Sequence, residues 1–139
     1  MTYHIAMAVS SSFVLNGELR QLVEETTREQ GSANWLKARI GRVTSSSVKR
    51  IMSSSNLTQV AIEIMSPRDI SNLPYVARGI ADEQKGVDYL RNELVKKGNT
   101  VEVQLIGFVL HSECDWIGAS PDRIIPVNGE WCLVEVRST

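Results

Sequence analysis

The stretch ASPDRIIPVNGEWCLVEVRST, residues 119–139, decides how the chain is read. Asn128-Gly129 stands between two runs rich in β-branched residues. That dipeptide is a strong hairpin signal, because both central positions of a type I′ turn need positive φ. A two-residue turn there pairs Val127 with Glu130 and carries the register outward to Asp122 opposite Glu135. Facing residues on one side of an antiparallel pair hold their Cβ atoms about 4.5–5.5 Å apart. Strand alternation then sets Trp131, Leu133, Glu135 and Arg137 on one face and Cys132, Val134 and Val136 on the other. Pro126 cannot donate to a ladder, so its strand is expected at or near a sheet edge.

Two carboxylates that close repel each other. Either one keeps a proton or a cation sits between them. Hard oxygen donors with room for water suit Mg²⁺ or Mn²⁺. Asp122 and Glu135 are thus candidate metal ligands, with Arg137 as a cation beside them. The plain alternative is an exposed hairpin in which Arg137 neutralises Glu135, and the pattern alone leaves both readings open.

Upstream, the clearest helix is expected over residues 76–97, just after Pro74. Val76, Ile80, Val87, Leu90 and Leu94 form its apolar stripe, and Glu83 falls within that stripe. A buried carboxylate normally has a partner, so Glu83 is either half of an ion pair or a catalytic or metal-supporting acid. Residues 101–110, 116–127 and 130–137 read as strands. A shorter helix is expected within residues 17–30, with Leu19, Leu22 and Val23 at helical spacing, and another around 57–65. Pro67 and Pro74 punctuate an irregular connection over 53–75.

Gly31 to Ile62 contains no acidic residue but includes Lys37, Arg39, Arg42, Lys49 and Arg50. Thr44, Ser45 and Ser46 precede a helical run and sit where an N-cap belongs. Free N–H groups at a helix start, with hydroxyls and Arg39 or Arg42 beside them, would make a phosphate site. A solvated positive face is the simpler alternative.

At 139 residues and 42% hydrophobic content, the chain has the size and composition of one folded domain. The formal net charge of −1 argues against a uniformly basic nucleic-acid binder and leaves local patches open. Cys114 and Cys132 form no C-x-x-C pair, which fits reduced thiols in an intracellular protein, nuclear or cytoplasmic. No Lys or Arg precedes the first apolar stretch, so no signal peptide is expected. No apolar run approaches the length of a membrane span.

S-P-D followed by E-V-R resembles the PD-(D/E)XK nuclease signature. WLKARIGRVTSSS (35–47) resembles the opening motif of YqaJ-type viral recombinases and lambda-type exonucleases. RGIADEQKGVDYL (78–90) is similar to their glutamate-bearing helix, and GFVLHSECDWIGASPDRII (107–125) to their glycine-led strand and S-P-D segment. EETTREQGSANW (24–35) is similar to the segment before the opening motif. The likeness therefore runs over residues 24–139, after an N-terminal extension of residues 1–23.

This resemblance implies an exonuclease acting on DNA ends in viral-type recombination, with two Mg²⁺ ions. By motif, Asp122 and Glu135 would bind metal and the carbonyl of Val136 would add a ligand. Glu83 would support the second metal or its water, and Arg39, Ser46 and Ser120 would hold a terminal 5′-phosphate. The implied fold is α+β: N-terminal helices packed on a small mixed or antiparallel sheet in a restriction-endonuclease-like core, apparently truncated at the C-terminus. The implied partners are duplex DNA ends, with a homo-oligomer and a recombination partner protein allowed and no membrane.

Three departures stand out. Arg137 replaces the family's Lys and cannot take up or release a proton. Arg123 stands where Gly is common. Thr139 ends the sequence where relatives continue, which would leave a sheet edge uncovered. Arg123 is the milder change and crowds the metal side; Arg137 and the early ending favour the alternative of an inactive remnant that binds DNA ends or a protein without cleaving.

Overall fold

The computed structural model describes residues 3–9, 17–66, 74–99, 102–127 and 129–138. Pro67, Val101, Asn128 and Thr139, which entered the reading above, lie outside them. In chain order the elements are β1 (Tyr3–Val9), α1 (Gly17–Thr26), α2 (Ala33–Arg39), α3 (Ser45–Ser53), α4 (Leu57–Met65) and α5 (Pro74–Lys96). Then come β2 (Val109–Leu110), β3 (Gly118–Ala119), β4 (Arg123–Val127) and β5 (Glu130–Ser138). The chain is α+β, with two small antiparallel sheets among the described residues. It divides into two units. One comprises Met1–Phe13, Ile70–Leu105 and Pro121–Thr139; the other comprises Val14–Asp69 and Ile106–Ser120.

The first unit is a three-stranded sheet, β1-β5-β4, with α5 packed on it. β4 and β5 pair as the hairpin register requires: Val127 with Glu130, Pro126 with Trp131, Ile124 with Leu133. Gly129 has φ +80°, the left-handed conformation that the turn needs. Pro126 lies in an edge strand, as expected of a residue with no N–H. Beyond β5, β4 meets a single bridge, Gln104 to Ile124, through backbone bonds of 2.9 and 3.0 Å. Cys132, Val134 and Val136 are buried with Ile125, Val87 and Leu90 into one core. Trp131, Glu135 and Arg137 face out.

The other edge of β5 is not open. β1 pairs along it from Tyr3–Ser138 to Val9–Cys132. The uncovered edge expected from the sequence is corrected by this strand, which no hairpin or alternation signal had marked.

α5 begins at Pro74 itself, two residues before the expected start at 76. Proline suits a first helical position, where its missing N–H is an orphan anyway. Gly98, with φ +81°, follows its end. Val87 and Leu90 are buried as expected, but Ile80 is 55% exposed. The buried stripe is carried instead by Asp82, Gly86, Val87 and Leu90.

The second unit holds α1–α4 and the short β2–β3 pair, extended by a parallel bridge between Val43 and Ile117. In α1 the expected apolar face is reversed: Leu19 and Leu22 are exposed, whereas Glu24 and Thr27 are buried. The reason is a side-chain latch. The Glu24 carboxylate accepts the Gly107 N–H at 2.7 Å, and the Thr27 hydroxyl accepts the Phe108 N–H at 2.6 Å. Arg28 adds a salt bridge to Glu24 at 2.6 Å. A buried acid is thereby satisfied twice.

The same latch explains why residues 101–110 are not one strand. Side chains, not a neighbouring ladder, take the amides of Gly107 and Phe108. Only Val109–Leu110 remain in a strand. The expected strand 116–127 is likewise interrupted, between β3 and β4. Pro121 has no donor there, and Asp122 turns its side chain to the backbone of β5.

Candidate active site

Asp122 immediately precedes β4, one step beyond its last ladder pair with β5, and continues the register toward Glu135. One of its oxygens, Oδ2, accepts the Val136 N–H at 2.8 Å. The hydrogen bond pins the carboxylate against the strand that carries Glu135. The Glu135 carboxyl is raised above the ordinary carboxylate range. Loss of solvent is the first cause and the negative charge of Asp122 the second; Arg137 opposes the shift, while Glu83 and a hydrogen bond to Asp122 add to it. The residue as a whole is exposed, so solvent softens the burial and the repulsion from Asp122 stands out.

Glu83 on α5 belongs to the same cluster. Its carboxyl is also raised, by burial first and by Asp122 second, with Arg123 pulling the other way. Arg123 Nη1 donates to Glu83 Oε1 at 2.8 Å and to the Asp122 carbonyl at 2.6 Å. Its Nη2 donates to Gln84 Oε1 at 3.1 Å. Glu83 is therefore half of an ion pair as well as a neighbour of the other two acids. Three carboxylates share one region, and burial followed by the charge of Asp122 raises Glu83 and Glu135 against the pull of Arg123 and Arg137.

The phosphate-like site is a separate feature, in the second unit. Arg39, Arg42, Thr44, Ser46, Ser47 and Ile64 line a cavity of about 100 Å³ at the start of α3. Thr44 is the N-cap, and its N–H donates to Ser47 Oγ at 2.8 Å, reciprocating across the first turn. Arg39 Nη2 donates to Ser46 Oγ at 3.0 Å, and its guanidinium lies 4.3 Å from the centre of the Trp35 ring. Trp35 Nε1 donates to Ser120 Oγ at 3.0 Å. Ser120, Trp35, Arg39 and Ser46 thus form one connected chain of contacts. Arg42 lines the cavity but spends donors on the carbonyls of Ala38 and Asp115, both at 2.7 Å. A cationic, hydroxyl-rich cavity at a helix start suits an anion.

A family model for the YqaJ-like viral recombinase domain matches residues 34–139. The chain belongs to the YqaJ-like viral recombinase domain family. No curated protein and no solved structure is matched by the chain. Within this YqaJ-like domain, sequence reasoning brought Asp122, Glu135 and Glu83 together. It missed Trp35 as the link between Arg39 and Ser120, although Trp35 lies four residues before Arg39, one helical turn away. It also gave Arg123 no partner. The spacing of α5 offered a signal, because a glutamate in an apolar stripe needs a counter-charge.

The donor set of the YqaJ-like domain can be tested against a divalent ion. Among the described residues, no three His, Cys, Asp or Glu side chains converge as a ready cage. Asp122 and Glu135 with the Val136 carbonyl remain a suitable set, since Mg²⁺ binds through one or two carboxylates and keeps several waters. No helix among the described residues is long and apolar enough to cross a membrane.

Proposed function

We propose that the chain is a Mg²⁺- or Mn²⁺-dependent DNA nuclease of recombination, on a restriction-endonuclease-like core, acting at DNA ends. The observation that carries this reading is Asp122, one residue past the β4–β5 ladder, accepting the Val136 N–H beside Glu135 in a member of the YqaJ-like family. Asp122, Glu135 and the Val136 carbonyl hold the ion. When bound, a divalent ion supplies an acidified water and stabilises charge on the phosphate. Arg137, exposed beside Glu135, stabilises the developing negative charge without exchanging a proton. Glu83 fixes Arg123 at the edge of the site. Arg39 and Ser46, with Ser120 oriented through Trp35, bind a terminal 5′-phosphate, and Arg42 contributes charge to that cavity.

The test uses duplex DNA with 5′-phosphate or 5′-hydroxyl ends, with Mg²⁺ or EDTA. Metal-dependent digestion that is lost in Asp122→Ala is the expected result. Arg39→Ala should erase the preference for a 5′-phosphate. Salt-sensitive DNA binding with no cleavage by any variant would instead favour the second reading, a binder of DNA ends that does not cut. The replacement of Lys by Arg137 and the engagement of Glu83 by Arg123 are the observations behind that alternative.

A further inference from the structure

Arg123 is the first residue of β4, directly after Asp122. Its side chain is 13% exposed and that of Glu83 is 17% exposed, so their contact is largely removed from solvent. The guanidinium is fastened at three points: Glu83 Oε1 at 2.8 Å, the Asp122 carbonyl at 2.6 Å and Gln84 Oε1 at 3.1 Å. Two of these acceptors belong to α5 and the third to the residue before β4. A planar fork held from two directions keeps its place, unlike a flexible surface lysine.

The balance of charge follows from this arrangement. Glu83, Asp122 and Glu135 bring three negative charges. Arg123 cancels that of Glu83 from within the protein, leaving Asp122 and Glu135 as the carboxylates free to hold one divalent ion, with the exposed Arg137 beside Glu135. A second ion at Glu83 would meet a fixed guanidinium at close range. Turning that guanidinium away would strand the Glu83 carboxylate without its partner. We infer that Arg123 takes the place of a second cation at Glu83, so that the site loads a single divalent ion through Asp122 and Glu135. The inference rests on the metal-nuclease reading above and specifies how its site is filled.

Mn²⁺ binding to the metal-free full chain, followed by calorimetric titration and by the loss of the free-ion paramagnetic resonance signal, tests it without any cleavage assay. The expected result is one ion per chain for the parent, none for Asp122→Ala and two for Arg123→Ala. The double variant Glu83→Gln with Arg123→Gln, which removes both charges of the pair together, should keep the parent's single ion with little change in affinity. Two ions bound by the parent would overturn the inference and leave the metal-nuclease reading standing. No ion bound by the parent would overturn both. An Arg123→Ala variant that folds, by circular dichroism, and still binds one ion would also overturn the inference. Should that variant not fold, the double variant decides. A loss of about tenfold or more in affinity, usual where a residue supports a bound ion, would show that Glu83 serves the ion and not Arg123.

Discussion

Asp122 has two separable tasks at the residue scale. Its charge acts on Glu135 and Glu83, and its Oδ2 accepts the Val136 N–H. Asp122→Asn keeps an acceptor and removes the charge, whereas Asp122→Ala removes both. Loss of the acceptor is expected to cost about 1 kcal/mol, the usual worth of one such bond, read by urea denaturation. The charge has a pH signature. Glu83 and Glu135 hold raised pKa values in the fold, so the native state binds extra protons between the ordinary carboxylate range and those raised values. Their contribution to stability is therefore present at low pH and falls as pH rises through that window. In metal-free protein, Asp122→Asn should be most favoured over the parent above the window, with the difference fading as pH drops. Thermal melts across pH check this, and a difference that does not vary with pH would contradict it. Glu24 titrates in the opposite sense. Burial raises its pKa, but Arg28 and the Gly107 N–H outweigh that and hold it below the usual range, so its contribution is lost on acidification.

Among the elements, β4 and β5 were the most legible and residues 101–110 the least. A local turn and a period of two fix the hairpin, and both can be read within twenty residues of sequence. The latch between α1 and Gly107–Phe108 cannot, because its partners stand far apart in the chain and one is a buried glutamate where leucines were expected inside. The candidate site divides the same way. Asp122 and Glu135 followed from register, whereas the partner of Glu83 depended on where one arginine rotamer reached. Gly107 offers a sharp test of the latch. A Cβ there would stand 1.9 Å from the Glu24 carbonyl oxygen and 2.6 Å from Thr27 Oγ1, so α1 would have to move. Gly107→Ala is expected to destabilise the second unit by about 1–3 kcal/mol or more. Glu24→Ala should cost a similar amount by stranding the buried Gly107 amide. Hydrogen exchange at Gly107 and Phe108 would read both, and unchanged protection in either variant would remove the latch as an explanation.

For the whole molecule, the family match covers residues 34–139, yet that segment omits β1 and α1. It would lack the strand along one edge of β5 and both side-chain acceptors for Gly107 and Phe108. A polypeptide of residues 34–139 alone is therefore expected to aggregate or to lose cooperative melting, while the full chain melts cooperatively. A well-folded, soluble 34–139 fragment would show that these contacts are dispensable. The pairing of β1 with β5 also sets an order of events. Tyr3 cannot find Ser138 until every residue between them has been made and Ser138 has left the ribosome. β1 is made well before β5 and waits for it, and a contact of such long range is slow to form. Maturation of this sheet is thus expected to wait for β5 to emerge, which makes β1 in the nascent chain a client for factors that shield unpaired strands.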